Sequence, residues 1–227
     1  MSLLFIDIET LPTSDPQVIA DIHSAIKHPG NIKKAETITT WWETDGEQAK
    51  TDAVAKTSFD GMYGRIACIC WAFDDGPVEA SANSSEFQML VEFYDLIKDH
   101  ENIGYHGGST QPGITVVGHN VAGFDLPFLK HRSIIHGIKP PAAILKAMNA
   151  KPWDACLADT MLMWSPDREK RASMEKLCKA LGIAGKGDFD GSMVAATWPV
   201  DPDRVIDYCK GDVDRTRQIY RRLSFSK

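Results

Sequence analysis

Three short acidic segments, far apart along the chain, restrict its possible folds more than any other feature. They run over residues 7–10 (DIET), 120–125 (NVAGFD) and 208–212 (YCKGD). Together they supply four carboxylates and one phenol, each in a local pattern that would direct it towards a common point. Converging carboxylates repel one another and remain ionised together only when cations lie between them. The chain is therefore expected to bring three distant segments to one cation site.

The residues that we predict to bind metal are the four acids of these segments, Asp7, Glu9, Asp125 and Asp212. Ligation by oxygen alone favours hard ions such as Mg²⁺ or Mn²⁺ over zinc. A pair of such ions holds both the attacking and the leaving oxygen in phosphodiester cleavage. The pattern thus predicts a nuclease that uses two divalent cations, Mg²⁺ or Mn²⁺, with Tyr208 beside them.

The spacing within each segment supports this convergence. Asp7 and Glu9 are two residues apart at the end of an apolar run, so both side chains leave the same face of a strand. Tyr208 and Asp212 are four residues apart on the last helix and lie one turn apart on one face. Asp125 begins a helix after a short strand. Ligands of open α/β sheets collect beyond the carboxyl ends of the strands, where these elements begin and end.

Apolar runs and turn residues predict five strands, over residues 2–8, 65–73, 78–82, 115–118 and 155–159. Apolar residues at helical spacing and capping signals predict helices over about 84–98, 126–136, 173–181 and 202–223, with another after Asp159, its expected cap. Strands followed by strand–helix alternation are typical of an α/β domain. We expect a mixed central five-stranded sheet flanked by helices.

Residues 13–63 separate the first two strands, where a hairpin needs only a few residues. We expect this segment to be an insertion over the carboxyl ends of the strands, within a single domain that spans residues 1–227. Its pairs Lys33-Lys34 and Trp41-Trp42 combine positive charge with stackable rings, as single-strand binders do. A lysine pair beside tryptophans also commonly covers a buried ring, so both interpretations stay open.

The composition of the chain restricts which other classes of protein it can belong to. The net charge of −6 argues against a protein that grips nucleic acid through its overall charge. No stretch approaches the length needed to span a membrane. An odd number of cysteines, five, without an export signal predicts reduced thiols and a soluble, cytoplasmic protein. The cysteines form no close-spaced metal pattern, and Cys68 and Cys70 are expected to point to one face of a strand as small hydrophobes.

The three segments resemble the motifs of DEDD-superfamily 3′–5′ exonucleases, which have a ribonuclease H-like fold. The third segment has tyrosine, rather than histidine, four residues before its Asp, and in this it resembles the third motif of the DEDDy branch. The middle motif, with five residues from Asn120 to Asp125, is similar to that of the proofreading domains of family B DNA polymerases. The resemblance extends from Met1 to about Arg222. The insertion and the loop over residues 186–192 also resemble those of stand-alone phage and bacterial exonucleases related to that proofreading domain.

The resemblance implies a role for each residue at a matching position. Asp7 would bridge two metal ions, Glu9 and Asp212 would complete the first site, and Asp125 would hold the second ion, partly through water. Tyr208 would orient the attacking water, because a phenol of ordinary pKa positions a water better than it removes a proton. The expected product is a nucleoside 5′-monophosphate, released from the 3′ end of single-stranded DNA.

The resemblance also implies substrate contacts. Thr10 would offer its backbone N–H to the terminal 3′-hydroxyl, Leu11 would wedge against the last base, and Asn120 and Phe124 would shape the nucleotide pocket. Leu11 and Phe124 are equally consistent with core packing, and Asn120 with capping the turn after its strand.

Lys186, in the glycine-rich segment 185–192, is expected to contact a phosphate; the alternative is an ordinary surface turn. His119, beside Asn120, is expected to be a hydrogen-bonded structural histidine.

Two other functions stay open at this point. Relatives in the superfamily also trim RNA, and the choice of polymer depends on contacts to the 2′-hydroxyl. A non-catalytic module that binds nucleic acid or a polymerase is the second alternative. A site without catalytic use has no physical need to keep mutually repelling acids together, which counts against it. Replication or repair proteins are possible partners, and we expect no membrane partner.

Overall fold

The computed structural model describes residues 2–103 and 113–226. Within them, a mixed sheet forms the centre of the fold, with strands β1 (Ser2–Leu11), β2 (Arg65–Phe73), β3 (Glu79–Ser81), β4 (Ile114–Gly118) and β5 (Leu157–Asp159) in the order β3-β2-β1-β4-β5. The first three strands are antiparallel neighbours, whereas β4 is parallel to β1 and to β5. The predicted α/β class and five-stranded mixed sheet are confirmed.

Helices surround this sheet. They are α1 (Pro16–Ala25), α2 (Ala35–Thr44), α3 (Gly46–Ala55), α4 (Glu86–Ile103), α5 (Asp125–His136), α6 (Ala142–Met148), α7 (Thr160–Trp164), α8 (Met174–Leu181), α9 (Val194–Thr197) and α10 (Pro202–Leu223), with short 3₁₀ helices over Lys56–Phe59, Arg168–Lys170 and Gly191–Met193. Helices α5 and α8 end at Gly137 and Gly182, whose φ angles of 66° and 68° are those that glycine adopts without strain. No helix in these residues is both long and apolar enough to cross a membrane.

Two cores lie on opposite faces of the sheet, because side chains alternate along each strand. On one face, Leu4, Ile6 and Ile8 of β1 pack with buried residues of α4, α5 and α6. On the other, Phe5 and Leu11 of β1 pack with buried residues of β2, α9 and α10. Asp7 and Glu9 share the second face with Phe5 and Leu11, so the predicted acids face α10.

Strand β1 is longer than predicted and carries both acids inside its paired region. Asp7 is opposite Cys70 and Glu9 is opposite Cys68, and the pairing continues to Leu11 after a bulge at Ala67. The strand continues because β2 supplies a partner from Leu4 to Leu11. The acids therefore lie on a hydrogen-bonded ladder, which limits the movement of their backbone.

The segment between β1 and β2 contains three α-helices. The helical pattern of residues 15–27 predicts the first of them, and no pattern predicts the other two. Its return to the sheet is anchored at the end of β1. The Thr10 hydroxyl donates to the Ser58 carbonyl at 2.6 Å, and the Thr13 N–H donates to the Thr57 hydroxyl at 2.8 Å. Trp41 and Trp42 contact each other edge to face at 4.8 Å between ring centroids.

Other differences from the predicted elements concern helix limits. Helix α6 is not predicted by the sequence pattern, because Pro140 indicates only the end of the preceding helix. In the structure, Pro141 lies directly before the first residue of α6. Helix α4 buries Met89, Leu90 and Phe93, whereas Phe87, which helical spacing predicts on the same apolar face as Leu90, is 48% exposed. The helix begins at Glu86, so Phe87 lies in its first turn.

Candidate active site

The structure brings the predicted acids together from three elements. Asp7 and Glu9 come from β1, Asp125 from the first turn of α5, and Asp212 from the middle of α10. An oxygen of Asp125 accepts a hydrogen bond from the Ile8 N–H at 3.1 Å, so this carboxylate sits against the backbone between Asp7 and Glu9. Asp125 and Asp212 are both buried.

The pKa values of three of these acids are displaced upwards. Burial raises the pKa of Asp7 well above its usual value, and the neighbouring Asp125, Glu9 and Asp212 carboxylates raise it further. Burial also raises the pKa of Asp125 to about 7, against the opposing effect of the N–H groups of Asp125 and Ile8. The pKa of Glu9 is raised well above its usual value, first by burial and then by Cys68 and Asp212. These carboxylates are therefore costly to keep ionised by themselves, and they favour the binding of cations or protons.

The donor set fits a hard divalent cation. One ligand atom each of Asp7, Glu9 and Cys209 lie within 4.8 Å of one another. Carboxylate oxygens are the ligands that Mg²⁺ and Mn²⁺ prefer, and a cation between them would relieve the repulsion that raises their pKa values. The acids themselves, Asp7, Glu9, Asp125 and Asp212, are the residues of this site suited to hold such an ion.

The loop before Asp125 is held by a residue of another strand. Asp159, the last residue of β5, accepts hydrogen bonds from the N–H groups of Asn120 and Ala122 at 2.9 and 3.0 Å. It also caps α7, as predicted, by accepting from the Met161 N–H. Asn120 has a φ of 63°. Local sequence predicted the cap, but nothing in the sequence indicated the contact across 39 residues with the loop.

Gly123 lies close under the Asn120 side chain in this loop. A Cβ there would lie 2.6 Å from the Asn120 side-chain oxygen, so a larger residue would force the Asn120 amide to move. The Asn120 side chain therefore lies over the backbone of the turn that leads into Asp125. Both roles that the sequence left open for Asn120, capping this turn and shaping the nucleotide pocket, stay predictions.

The third acidic segment is covered by Lys186. Its ammonium donates to the Tyr208 hydroxyl at 2.8 Å and forms an ion pair with the Asp212 carboxylate. Arg215, one turn further along α10, contacts the other Asp212 oxygen at 3.2 Å. Burial raises the pKa of Tyr208 to about 12, and the Asp212 carboxylate contributes to the increase. For Lys186, burial lowers the pKa but Asp212 and Tyr208 raise it more, so the side chain remains charged.

Two further residues position Lys186, and sequence reasoning missed both. The Glu175 carboxylate, from the first turn of α8, accepts from the Lys186 N–H at 3.1 Å. Phe189 is buried and packs on the Tyr208 ring with a centroid separation of 5.0 Å. A phenylalanine among glycines and acids was the signal that could have identified the anchor of this loop. Arg215 was missed as well, although its spacing from Asp212 is that of helical neighbours.

A cleft of about 300 Å³ opens at Asp7 and Asp212. Two of the predicted substrate-binding residues, Asn120 and Lys186, line it, and His119 lines it too. One ring nitrogen of His119 hydrogen-bonds to the Thr160 hydroxyl at 2.9 Å, which fits its expected structural role. Burial lowers the pKa of His119, against the opposing charge of Asp159. Met161, Ser173 and Met174 complete the cleft together with Glu175.

The other predicted substrate residues lie in packed surroundings. Leu11 is buried in the core between the sheet and α10. Phe124 is partly buried and its ring lies 5.8 Å from that of Phe128. The Thr10 hydroxyl donates a hydrogen bond to the Ser58 carbonyl. The predicted contact with the terminal 3′-hydroxyl involves the Thr10 backbone N–H instead. Their contacts with a substrate stay predictions.

The predicted insertion residues are accessible. Lys33 and Lys34 are exposed, and Trp42 is 36% exposed. The Trp42 ring also lies over Gly46, where a Cβ would meet it at 2.6 Å. The two rings therefore pack on each other and on α3 while one of them keeps an open surface. Contact of these residues with single-stranded nucleic acid stays a prediction.

A solved structure of the family B DNA polymerase from the hyperthermophilic archaeon Pyrobaculum calidifontis is similar to this chain, with a TM-score of 0.57 over 98% of the chain and 15% identity. The chain spans 24% of the length of that polymerase. At this identity the likeness shows the fold, which is the ribonuclease H-like fold of the exonuclease domain of family B polymerases. Comparison with curated proteins finds no match.

Residues 78–227 match the family described as "Predicted 3'-5' exonuclease related to the exonuclease domain of PolB". The match covers well over half of the chain and includes Asp125, Lys186, Tyr208 and Asp212. The predicted resemblance to family B proofreading domains is thereby confirmed. The chain belongs to this family of predicted 3′–5′ exonucleases related to the exonuclease domain of PolB.

Proposed function

We propose that this chain is a 3′–5′ exodeoxyribonuclease that removes nucleoside 5′-monophosphates from single-stranded DNA ends. One observation carries the proposal: buried and half-buried acids from β1, α5 and α10 converge and raise one another's pKa values beside a phenol and a lysine. Such a group of acids is costly to fold unless it binds cations. We take residues 1–227 as one exonuclease domain, with residues 13–63 as its insertion.

In this proposal Asp7, Glu9, Asp125 and Asp212 hold two divalent cations, Mg²⁺ or Mn²⁺. When bound, such ions supply Lewis-acid stabilisation of the attacking and leaving oxygens and make deprotonation of water feasible near neutral pH. Asp7 is central to the group, since Glu9, Asp125 and Asp212 all act on its pKa. The paired backbone of β1 and the hydrogen bond from Ile8 to Asp125 keep the acids in place before substrate binds.

Tyr208 acts in this proposal as a neutral hydrogen-bonding group. Its pKa, raised to about 12, keeps the hydroxyl protonated at any physiological pH. Lys186 is a donor without a lone pair, so the Tyr208 oxygen accepts from it and the Tyr208 proton is free to donate elsewhere. We propose that this proton orients the attacking water or a phosphate oxygen, rather than that Tyr208 removes a proton.

Lys186 is the proposed contact to the scissile phosphate. Its ammonium is positively charged, lines the cleft and lies between Tyr208 and Asp212. A fixed positive charge at this point favours the negative charge that builds up on a phosphate during cleavage. Asn120 in the cleft wall, with Thr10 and Leu11 at the end of β1 and Phe124 directly before α5, is proposed to hold the terminal nucleotide.

The proposal favours DNA because the family is related to an exonuclease domain of DNA polymerases. The alternative is a 3′–5′ exoribonuclease, and the choice between the two polymers depends on contacts to the 2′-hydroxyl. A binding module without activity is disfavoured by the retained group of repelling acids. We further propose a cytoplasmic protein that works alongside replication or repair proteins.

The experiment that tests the proposal compares single-stranded DNA, duplex DNA and RNA of one sequence, each labelled at the 5′ end. With Mg²⁺ or Mn²⁺, single-stranded DNA should shorten in single-nucleotide steps from the 3′ end, faster than the other two. An Asp212→Asn variant prepared in parallel should be inactive and so exclude a contaminating nuclease. Faster shortening of RNA would support the exoribonuclease, and binding of all three without shortening would support the non-catalytic module.

A further inference from the structure

Three thiols meet in the core between the sheet and α10. Cys68 and Cys70 lie two residues apart on β2 and therefore point to one face, and Cys209 comes from α10 above them. Their sulfur atoms all lie within 4.8 Å of one another. Each of these cysteines has no accessible surface, so the cluster is fully enclosed.

The register of the sheet places this cluster directly beside the acids of the cleft. Cys70 is opposite Asp7 and Cys68 is opposite Glu9 on the neighbouring strand, and side chains of paired residues share a face. The Cys209 thiol lies 3.3 Å from an Asp7 carboxylate oxygen. Ligand atoms of Cys209, Asp7 and Glu9 also form a group within 4.8 Å. Cys209 therefore belongs both to the sulfur cluster and to the oxygen cluster.

The separations suit a tetrahedral ion bound by sulfur. A Zn–S bond of about 2.3 Å in tetrahedral geometry requires sulfur atoms about 3.8 Å apart. From separations of at most 4.8 Å, the sulfurs need to approach one another by no more than about 1 Å. The Asp7 oxygen beside Cys209 is available as the fourth ligand, because zinc in proteins is bound by Asp and Glu oxygens as well as by Cys sulfur.

We propose that Cys68, Cys70 and Cys209, together with Asp7, bind one thiophilic divalent cation such as Zn²⁺ or Cd²⁺. Thiolates select such ions, whereas Mg²⁺ and Mn²⁺ prefer the oxygen ligands of the cleft. Binding displaces the thiol protons, including those that Cys70 and Cys209 donate to the Ile206 carbonyl at 3.8 Å and to Asp7.

The bound ion engages Asp7, a proposed ligand of the catalytic cations, so the two sites compete for one carboxylate. A thiophilic ion therefore inhibits the nuclease. This consequence rests on the function proposed above, whereas the existence of the sulfur site does not.

The test is a titration of the full-length wild-type protein with Cd²⁺, kept reduced, while the ultraviolet charge-transfer absorption of cadmium thiolate is recorded. The absorption should rise and saturate at one ion per chain, and excess Mg²⁺ should not displace it. Cys70→Ala and Cys209→Ser should each weaken Cd²⁺ binding by about 10-fold or more, because loss of even an outer partner of a metal ligand costs about 10–100-fold. Cys178→Ala, which removes a buried thiol of a different core cluster, should bind as the wild type does.

Two results would overturn the proposal. The first is one equivalent of Cd²⁺ bound to the wild type without thiolate absorption, which would place the ion on the carboxylates alone. The second is an absorption that Cys70→Ala leaves unchanged. Both are read without nuclease activity, so they are independent of whether the chain cleaves DNA. Circular dichroism of each metal-free variant checks its fold, and the wild-type spectrum decides the matter where a variant does not fold.

Discussion

The ammonium of Lys186 donates a hydrogen bond to the hydroxyl of Tyr208 over 2.8 Å. The same ammonium forms an ion pair with Asp212, one helical turn away on α10. One side chain from a loop thus contacts two of the residues that the third acidic segment contributes to the site. The loop is fixed in turn by the Phe189 ring on Tyr208 and by Glu175 at the Lys186 N–H. The conformation of this loop therefore determines which hydrogen bonds Tyr208 and Asp212 can offer to a substrate.

Replacing Lys186 tests this relationship. Lys186→Met keeps the length of the side chain but removes its charge, and it should lower the single-turnover rate by about 10²–10³-fold, as for loss of a fixed group that stabilises developing charge. Lys179, an exposed lysine of α8, provides the matched control, and Lys179→Met should cleave at the wild-type rate. A single-turnover rate of Lys186→Met within twofold of the wild-type rate would exclude Lys186 from the mechanism.

Tyr208→Phe separates the hydroxyl from the ring. The ring should stay packed on Phe189, so the fold and the Mn²⁺ affinity should barely change. The cleavage rate should fall by about 10²-fold or less, the range of one positioned hydrogen-bonding group. Calorimetric Mn²⁺ titration beside single-turnover kinetics measures both effects. Loss of Mn²⁺ binding in this variant would show that Tyr208 belongs to the metal site itself.

Glu86 links the sheet, α5 and the end of the insertion, and its contribution to stability should depend on pH. Its carboxylate accepts from Arg132 at 2.7 Å, from His136 at 2.8 Å and from the Ile66 N–H at 2.7 Å. Arg132 also donates to the Gly61 carbonyl at 3.2 Å. Burial alone would raise the pKa of Glu86, but these hydrogen bonds outweigh it and hold the pKa below its usual value.

A carboxylate with a lowered pKa in the folded state stabilises the protein above its unfolded pKa, near 4.5, and loses this effect as the pH falls through the folded value. Glu86→Gln should therefore lower the free energy of unfolding at pH 7, by at most about 3–5 kcal/mol, as for a buried ion pair that loses one partner. The difference from the wild type should shrink as the pH falls below 4.5. Urea unfolding of both proteins across this range is the measurement, and a difference that grows on acidification would contradict the assignment.

The insertion tryptophans should hold single-stranded substrate. Replacing Trp41 and Trp42 by alanine should weaken binding of single-stranded DNA by about 1–3 kcal/mol for each stacked base that is lost. Cleavage of a dinucleotide, too short to reach the insertion, should be nearly unchanged. Fluorescence anisotropy and dinucleotide hydrolysis make the comparison. Equal losses on both substrates, or an unfolded double variant, would show that the two rings serve only to pack the insertion helices.

Local periodicity predicts which of the acidic residues share one face of a strand or helix. The strand repeat placed Asp7 and Glu9 on one face, and the helical repeat placed Tyr208 one turn from Asp212. Partners that depend on packing between elements could not be predicted in this way. Lys186 reaches Tyr208 across 22 residues through an irregular loop. The contact of Asp159 with the loop at Asn120 likewise depends on the parallel neighbours β4 and β5.

The insertion shows the same limit at the level of whole elements. Helix α3 has no clear apolar stripe and buries only Gly46, so its sequence gives little sign of a helix. The three-thiol cluster was also invisible to sequence spacing, because Cys209 joins Cys68 and Cys70 only through the packing of α10 on the sheet.

Cation-dependent cleavage by Asp7→Ala, beside the wild type, tests the proposed nuclease site most directly. The wild type should shorten 5′-labelled single-stranded DNA with Mg²⁺ or Mn²⁺ and stop when EDTA is added. Asp7→Ala should be slower by several orders of magnitude, because it removes the acid on which the other three converge. Its unfolding midpoint in EDTA should be unchanged or higher, since a repelling charge is gone. The exposed control Asp99→Ala should behave as the wild type. Activity in Asp7→Ala close to that of the wild type, in protein free of contaminating nuclease, would contradict the proposed site.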